Sequence, residues 1–223
     1  MTYRLVVLTH GASDTLEPTL RSFHEHVTPK TADYVCIRDG GGKLPPINPD
    51  GQTWRGTVLQ PQQGFCAATR AAWKAATLPG PDHVFWLEHD FLFRQDVDLR
   101  PIMETLEQDH RLAQMQFMRG PVSARERRAG GLYQLRKDAY SQAFTNLLSS
   151  SAAYPYLEHR AYFTTNPSVM RREFMQACPW PTHESECEGK FGIDLVERGF
   201  KFGVWGAGEP WVDHIGKRDG FGY

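Results

Sequence analysis

Short apolar runs alternate with helix-spaced stretches along the first ninety residues, and this constrains the fold more than any other feature of the chain. Arg4-Leu5-Val6-Val7-Leu8-Thr9 has strand length and is apolar on both faces. Leu16, Leu20, Phe23 and Val27 then fall on one helical face, with Ser13 or Asp14 as the expected cap. Tyr34-Val35-Cys36-Ile37-Arg38 forms a second strand-like run ending in Asp39-Gly40-Gly41-Gly42, and Gly56-Thr57-Val58-Leu59 a third. Phe65 to Thr77 is alanine-rich and helical in pattern, stopped by Leu78-Pro79-Gly80-Pro81. Val84-Phe85-Trp86-Leu87 is the next buried strand. Strand and helix alternating at this spacing predict an α/β chain: a mostly parallel central sheet with helices on both faces. At 223 residues and 40% hydrophobic, the sequence can bury one such core as a single domain.

In open α/β sheets, ligands bind beyond the carboxyl ends of the strands, and Thr9, Asp39 and Asp90 all stand at such ends. The tripeptide Glu88-His89-Asp90 delivers two carboxylates, spaced i and i+2, to one strand exit. Such a pair can share a hard cation, and a cation there can hold a diphosphate. A net charge of −1 excludes polyanion binding by bulk electrostatics. No run approaches the 18 apolar residues of a membrane span. Cys36, Cys66, Cys178 and Cys187 lack the spacing of a small secreted domain, and Met1-Thr2-Tyr3-Arg4 does not open a signal peptide. All four are therefore expected to be reduced thiols in a cytoplasmic protein. Cys178, His183 and Cys187 lack a fourth zinc ligand and read as structural residues.

These elements resemble the nucleotide-binding half of the GT-A glycosyltransferases, closest to the large inverting family 2 in its small phage or bacterial form. The resemblance implies a single Rossmann-like GT-A domain, with residues 1–98 binding the nucleotide and 99–223 forming the acceptor half. It makes Thr9 and His10 part of the nucleotide site and Asp39 similar in place to the aspartate that contacts the base. Gly64-Phe65-Cys66-Ala67-Ala68-Thr69-Arg70 resembles the segment that opens the next helix near the ribose, although Thr69-Arg70 replaces the usual Arg-Asn. The family's Asp-x-Asp metal motif corresponds to Glu88-His89-Asp90, and His214 is similar to a last metal ligand supplied after the acceptor-side elements. Thr165 to Arg172 resembles the acceptor-side strand. A helix-like Gly192 to Arg198 ends at Gly199, and counting back from that glycine puts Glu188 in the register of the catalytic base. Glu186 and Glu184 are close alternatives. Lys217 or Arg218, in the tail, would counter the diphosphate charge. The implied activity is metal-dependent (Mn2+ or Mg2+) transfer from a nucleoside-diphosphate-sugar, most commonly a UDP-sugar, with inversion at the anomeric carbon. Trp180 and Trp205 offer flat faces for a sugar ring.

The resemblance does not cover about Leu99 to Arg160. Within it, Arg119, Arg125, Arg127, Arg128, Arg136 and Lys137 face the single acid Glu126. A basic arm of this kind suits a polyanionic acceptor. Small soluble glycosyltransferases of this type occur among bacteriophage proteins, with hydroxymethylated DNA bases and virion proteins as acceptors. Tyr154, Tyr156, Tyr162 and Phe163 are candidates for a flipped-base pocket. A protein or polysaccharide acceptor is the alternative. Two other classes are a sugar nucleotidyltransferase, whose glycine-rich basic loop Thr9-His10-Gly11-Ala12-Ser13 is not, and a catalytically silent nucleotide-sugar or carbohydrate binder. Oligomeric state leaves no mark in the sequence.

Overall fold

The computed structural model describes residues 1–11, 14–31, 33–41, 53–120, 156–160, 162–205 and 210–216. In chain order the first elements are β1 (Tyr3–His10), α1 (Leu16–His26), β2 (Val27–Thr28), β3 (Asp33–Asp39), β4 (Arg55–Leu59) and α2 (Phe65–Ala76). Next come β5 (His83–Glu88), β6 (Phe91–Phe93), β7 (Val97–Asp98), α3 (Leu99–Gln108), β8 (Leu112–Phe117) and β9 (Arg119–Gly120). The last are β10 (Tyr156–His159), β11 (Ser168–Arg171), α4 (Arg172–Ala177), α5 (Cys187–Glu197), β12 (Lys201–Trp205) and β13 (Val212–His214).

Eight strands form one sheet in the order β10-β12-β8-β11-β5-β1-β3-β4. β4, β3, β1 and β5 are mutually parallel, and β8 and β12 run with them. β11 enters antiparallel between β5 and β8, and β10 closes the edge antiparallel to β12. Because side chains alternate along a strand, β1 feeds two cores. Leu5 and Val7 pack with Leu16, Leu20 and Phe23 of α1 and with Ile102, Met103 and Leu106 of α3. Val6 and Leu8 pack on the opposite face with Ala72 and Trp73 of α2, Phe174 of α4, and Phe191 and Leu195 of α5. The mostly parallel sheet with helices on both faces is as the alternation predicts.

Arg4, fully buried in β1, holds the end of α2 in place. Its guanidinium donates to Asp33 at 2.9 Å and to the carbonyls of Ala76, Leu78 and Pro79 at 2.9, 2.8 and 2.9 Å. These include orphan acceptors of the helix terminus. Gly80 is required here: its φ is +153°, and a Cβ would lie 2.2 Å from Arg4 Nη2.

Three expectations change. Thr15, not Ser13 or Asp14, precedes α1, without a side-chain cap bond. α5 begins at Cys187, five residues before Gly192. Its first turn carries Gly189, a poor helix former, so the local pattern understates a helix stabilised by tertiary contacts. The cysteines are not all reduced: Cys66 and Cys187 form a disulfide with Cα atoms 5.8 Å apart, while Cys36 and Cys178 are free and buried. The pair is separated by 121 residues, so only the packing of α2 beside α5 brings it together. The Cys178–His183–Cys187 zinc set is thereby excluded. Burial pushes the Cys36 thiol up to about 12, which leaves it inert. Among the described residues no helix is long and apolar enough to cross a membrane.

Candidate active site

From β1 the chain moves outward to β3 and β4, then returns to β5 on the other side of β1. The switch point of the sheet therefore lies between the ends of β1 and β5, where a ligand crevice belongs. A small cleft opens there, lined by Leu8, Thr9, His10, Asp39, Phe65, Ala68, Glu88 and His89. Its apolar floor and few convergent polar groups are those of a small-molecule site. Thr9, His10, Asp39 and Glu88, all expected in the nucleotide site, are among its walls.

Asp39 also builds the wall beside it. Its carboxylate accepts the backbone N–H groups of Gln63 at 2.7 Å and Gly64 at 2.8 Å, fixing the entry to α2. Gly64 makes that entry with φ +86°, a conformation costly for any side-chain-bearing residue. His89 is held by α1, whose Thr19 hydroxyl donates to its carbonyl at 2.8 Å. Burial lowers the His89 pKa below its ordinary value, against the opposing pull of Asp90. Arg70 is engaged elsewhere: its guanidinium donates to the carbonyls of Pro181 at 3.2 Å and His183 at 3.4 Å, before α5.

A small second sheet, β6-β13-β9, brings the expected metal ligands together. β13 pairs antiparallel with β6 so that His214 is opposite Phe91, and the Ile215 N–H donates to the Asp90 carbonyl at 2.8 Å. His214 Nε2 then lies 2.9 Å from Asp90 Oδ2, with both side chains more than nine-tenths buried. Gly216 packs directly on this carboxylate, where a Cβ would come 2.0 Å from Oδ2. One carboxylate oxygen and one imidazole nitrogen are donors that Mn2+ accepts, so the pair fits a divalent ion. Among the described residues no three His, Cys, Asp or Glu side chains converge as a complete cage. Glu88 instead lines the β1–β5 cleft, and such ions commonly take their remaining ligands from substrate phosphates.

The three candidate bases separate by position. Glu184 and Glu186 are exposed, and Glu186 leans toward Lys190 at 3.6 Å. Glu188, in the first turn of α5, is half-buried, and its Oε1 accepts the Thr165 N–H at 2.7 Å and the Thr165 hydroxyl at 3.3 Å. Gly192, one turn on, allows this contact: a Cβ there would lie 3.0 Å from the Phe163 backbone nitrogen. Gln114, fully buried in β8, donates to the Thr164 carbonyl at 2.6 Å and holds the same segment from the other side. Thr165 was present in the acceptor-side segment read from sequence, but nothing local marked it as a partner of Glu188, nor Gly216 as a partner of Asp90.

Other expected residues are buried in the core or lie outside the described residues. Trp180 and Trp205 are core residues, as is Phe163, and Tyr162 is buried against His159. Tyr154, the basic segment from Arg125 to Lys137, and Lys217 and Arg218 lie outside the described residues; Arg119 is buried in β9.

The sequence matches no protein-family model and no curated protein. Solved structures do match. The crystal structure of GalNAc-T7 with UDP, GalNAc and Mn2+ superposes with a TM-score of 0.60 at 12% identity, over 98% of this chain and 44% of that one. S. aureus TarS 1–349 in complex with UDP gives a TM-score of 0.63 at 13% identity, over 96% of this chain and 60% of that one. The same protein in complex with UDP-GlcNAc gives 0.63 at 15%, over 100% and 60%. The chain thus spans about 44 to 60% of the length of these structures. Its fold is that of the GT-A glycosyltransferases.

Proposed function

We propose that this chain transfers a sugar from a nucleoside-diphosphate-sugar, of which a UDP-sugar is the first choice, to an acceptor hydroxyl with inversion. The observation that carries the reading is the Asp90–His214 pair, assembled across 124 residues next in sequence to His89 of the β1–β5 cleft. The similar structures that hold UDP, UDP-GlcNAc or Mn2+ support the same choice of ligands. In this reading Thr9, His10, Asp39 and Phe65 seat the nucleoside, with Asp39 held rigid by the Gln63 and Gly64 N–H groups. Asp90 and His214 would hold Mn2+ or Mg2+, with Glu88 beside them, and the bound ion would supply positive charge against the leaving diphosphate. Glu188 takes the acceptor's proton as its oxygen attacks the anomeric carbon. Thr165 keeps that carboxylate in one orientation, so little reorganisation is needed at the moment of attack.

For the acceptor, the basic residues between Arg125 and Lys137, without the buried Arg119, favour hydroxymethylated bases of phage-type DNA over a protein or polysaccharide. The test is nucleotide release from a panel of nucleotide-sugars with Mn2+, with and without hydroxymethylated duplex DNA, followed by mass analysis of the digested nucleosides. Metal-dependent release stimulated by DNA, with a sugar-sized mass gain on the base, is the expected result. Release indifferent to DNA would remove the DNA acceptor. Nucleotide binding that needs no metal, with no turnover of any donor, would favour a silent binder.

A further inference from the structure

Cys66 and Cys187 meet where the donor cleft and the acceptor helix join. We propose that their disulfide, together with Arg70, positions Glu188 against the donor cleft and makes transfer sensitive to dithiol reductants. The catalytic consequence rests on the glycosyltransferase reading above; the positioning stands on geometry alone.

One face of α2 grips the segment leading into α5 at three points. Residues 66, 70 and 73 share a helical face at i, i+4 and i+7. Cys66 is bonded to Cys187, Arg70 donates to Pro181 and His183, and Trp73 Nε1 donates to the carbonyls of Met175 at 3.0 Å and Cys178 at 3.1 Å. On the same helix Phe65 and Ala68 line the donor cleft. The disulfide therefore joins a helix turn that walls the cleft to the residue immediately before Glu188.

No side-chain cap bond fixes the start of α5, and its local ties are the Lys190 N–H to the Glu186 carbonyl at 3.0 Å and the exposed Glu186–Lys190 pair. Glu186 enters it with φ +53°, and residues 182–186 are all exposed. Farther along, Phe191 and Leu195 are locked in the core and Gly192 abuts Phe163. Loosening the tie thus leaves the first turn, with Glu188, held to the neighbouring segment by the Thr165 clasp alone, while the rest of the helix stays packed. The core thiols Cys36 and Cys178 have raised pKa values from burial and make poor competitors for exchange. In the reductive step a dithiol such as dithiothreitol gives up two electrons and two protons. The Cys66–Cys187 bond breaks to two thiols, and the reductant becomes a cyclic disulfide.

The experiment compares the oxidised protein, the same protein after dithiothreitol, and the Cys66→Ser/Cys187→Ser double variant. It measures UDP affinity by calorimetry, Mn2+-dependent UDP release from UDP-GlcNAc, and amide hydrogen exchange. Reduction should raise exchange at the Thr165 amide and over residues 187–191 by about tenfold or more. UDP release should slow by about tenfold or more, as a misplaced catalytic group would cause, while the UDP dissociation constant stays within about threefold. The double variant should match the reduced protein and ignore the reductant. Arg70→Gln, which keeps the disulfide, should show a smaller change of the same kind even if the serine variant fails to fold. Unchanged exchange at Thr165 on reduction would overturn the proposal, as would UDP affinity falling in step with release. Absence of UDP release in every form would count against the glycosyltransferase reading for this donor, and hydrogen exchange alone would then decide the positioning.

Discussion

Glu188 and Glu186 stand two residues apart, yet one is clasped by Thr165 and the other lies in solvent beside Lys190. Glu188→Gln should cut turnover by roughly 10²- to 10⁴-fold, the usual worth of a general base, with circular dichroism and UDP affinity unchanged. Glu186→Gln should leave turnover within about threefold; equal losses in both variants would remove the assignment. Glu188 became a candidate through the family resemblance, which sets an acidic residue a fixed distance before a glycine such as Gly199. Its clasp was not legible in the sequence, since Thr165 is a neighbour only in three dimensions. Gly216 makes the same point at the metal pair. A methyl group there would meet Asp90 Oδ2 at 2.0 Å, so Gly216→Ala should abolish the rise in unfolding temperature that Mn2+ gives the wild-type protein. Retention of that rise would mean the ion is held elsewhere.

Elements were legible wherever their own pattern was strong. The strands β1, β3 and β5 and the helices α1 and α2 fall within a residue or two of their expected limits, because apolar periodicity and the Pro-Gly-Pro stop are local signals. α3 and β8 lie in the stretch that the family resemblance did not cover, and α5 starts earlier than its spacing suggests because packing stabilises its glycine-bearing first turn. Arg4 is the case where an element depends on a single distant side chain. Arg4→Met keeps the apolar stem but strips the carbonyls at the end of α2 of their donor and leaves Asp33 to Arg55. It should cost about 1–3 kcal/mol, the range for leaving a buried acceptor unpaired, measurable as a lower urea midpoint with an unchanged slope.

At the scale of the whole molecule, acid should weaken the fold. His83 begins β5, and burial lowers its pKa from 6.5 against the opposing charges of Glu107 and Asp82, while Arg171 adds to the lowering. The unfolded chain then binds more protons than the folded one, so stability rises with pH up to about 6.5 and levels off above it. His89, lowered for the same leading reason, acts in the same direction. Urea midpoints measured from pH 7 to pH 5 should fall, and His83→Gln should flatten the slope; an unchanged slope would remove His83 as a source. The family resemblance made Glu188 and His214 candidates; by itself the sequence determined the α/β alternation and the carboxyl-end positions of Thr9, Asp39 and Asp90. These follow from patterns only a few residues long, which the chain carries wherever it folds. Only the tertiary structure decided that Asp90 meets His214, that Thr165 clasps Glu188, that Arg70 serves the loop before α5, and that Cys66 is bonded to Cys187. Each of those joins residues 23 to 124 positions apart, and such contacts exist only once the sheet order has brought distant segments side by side.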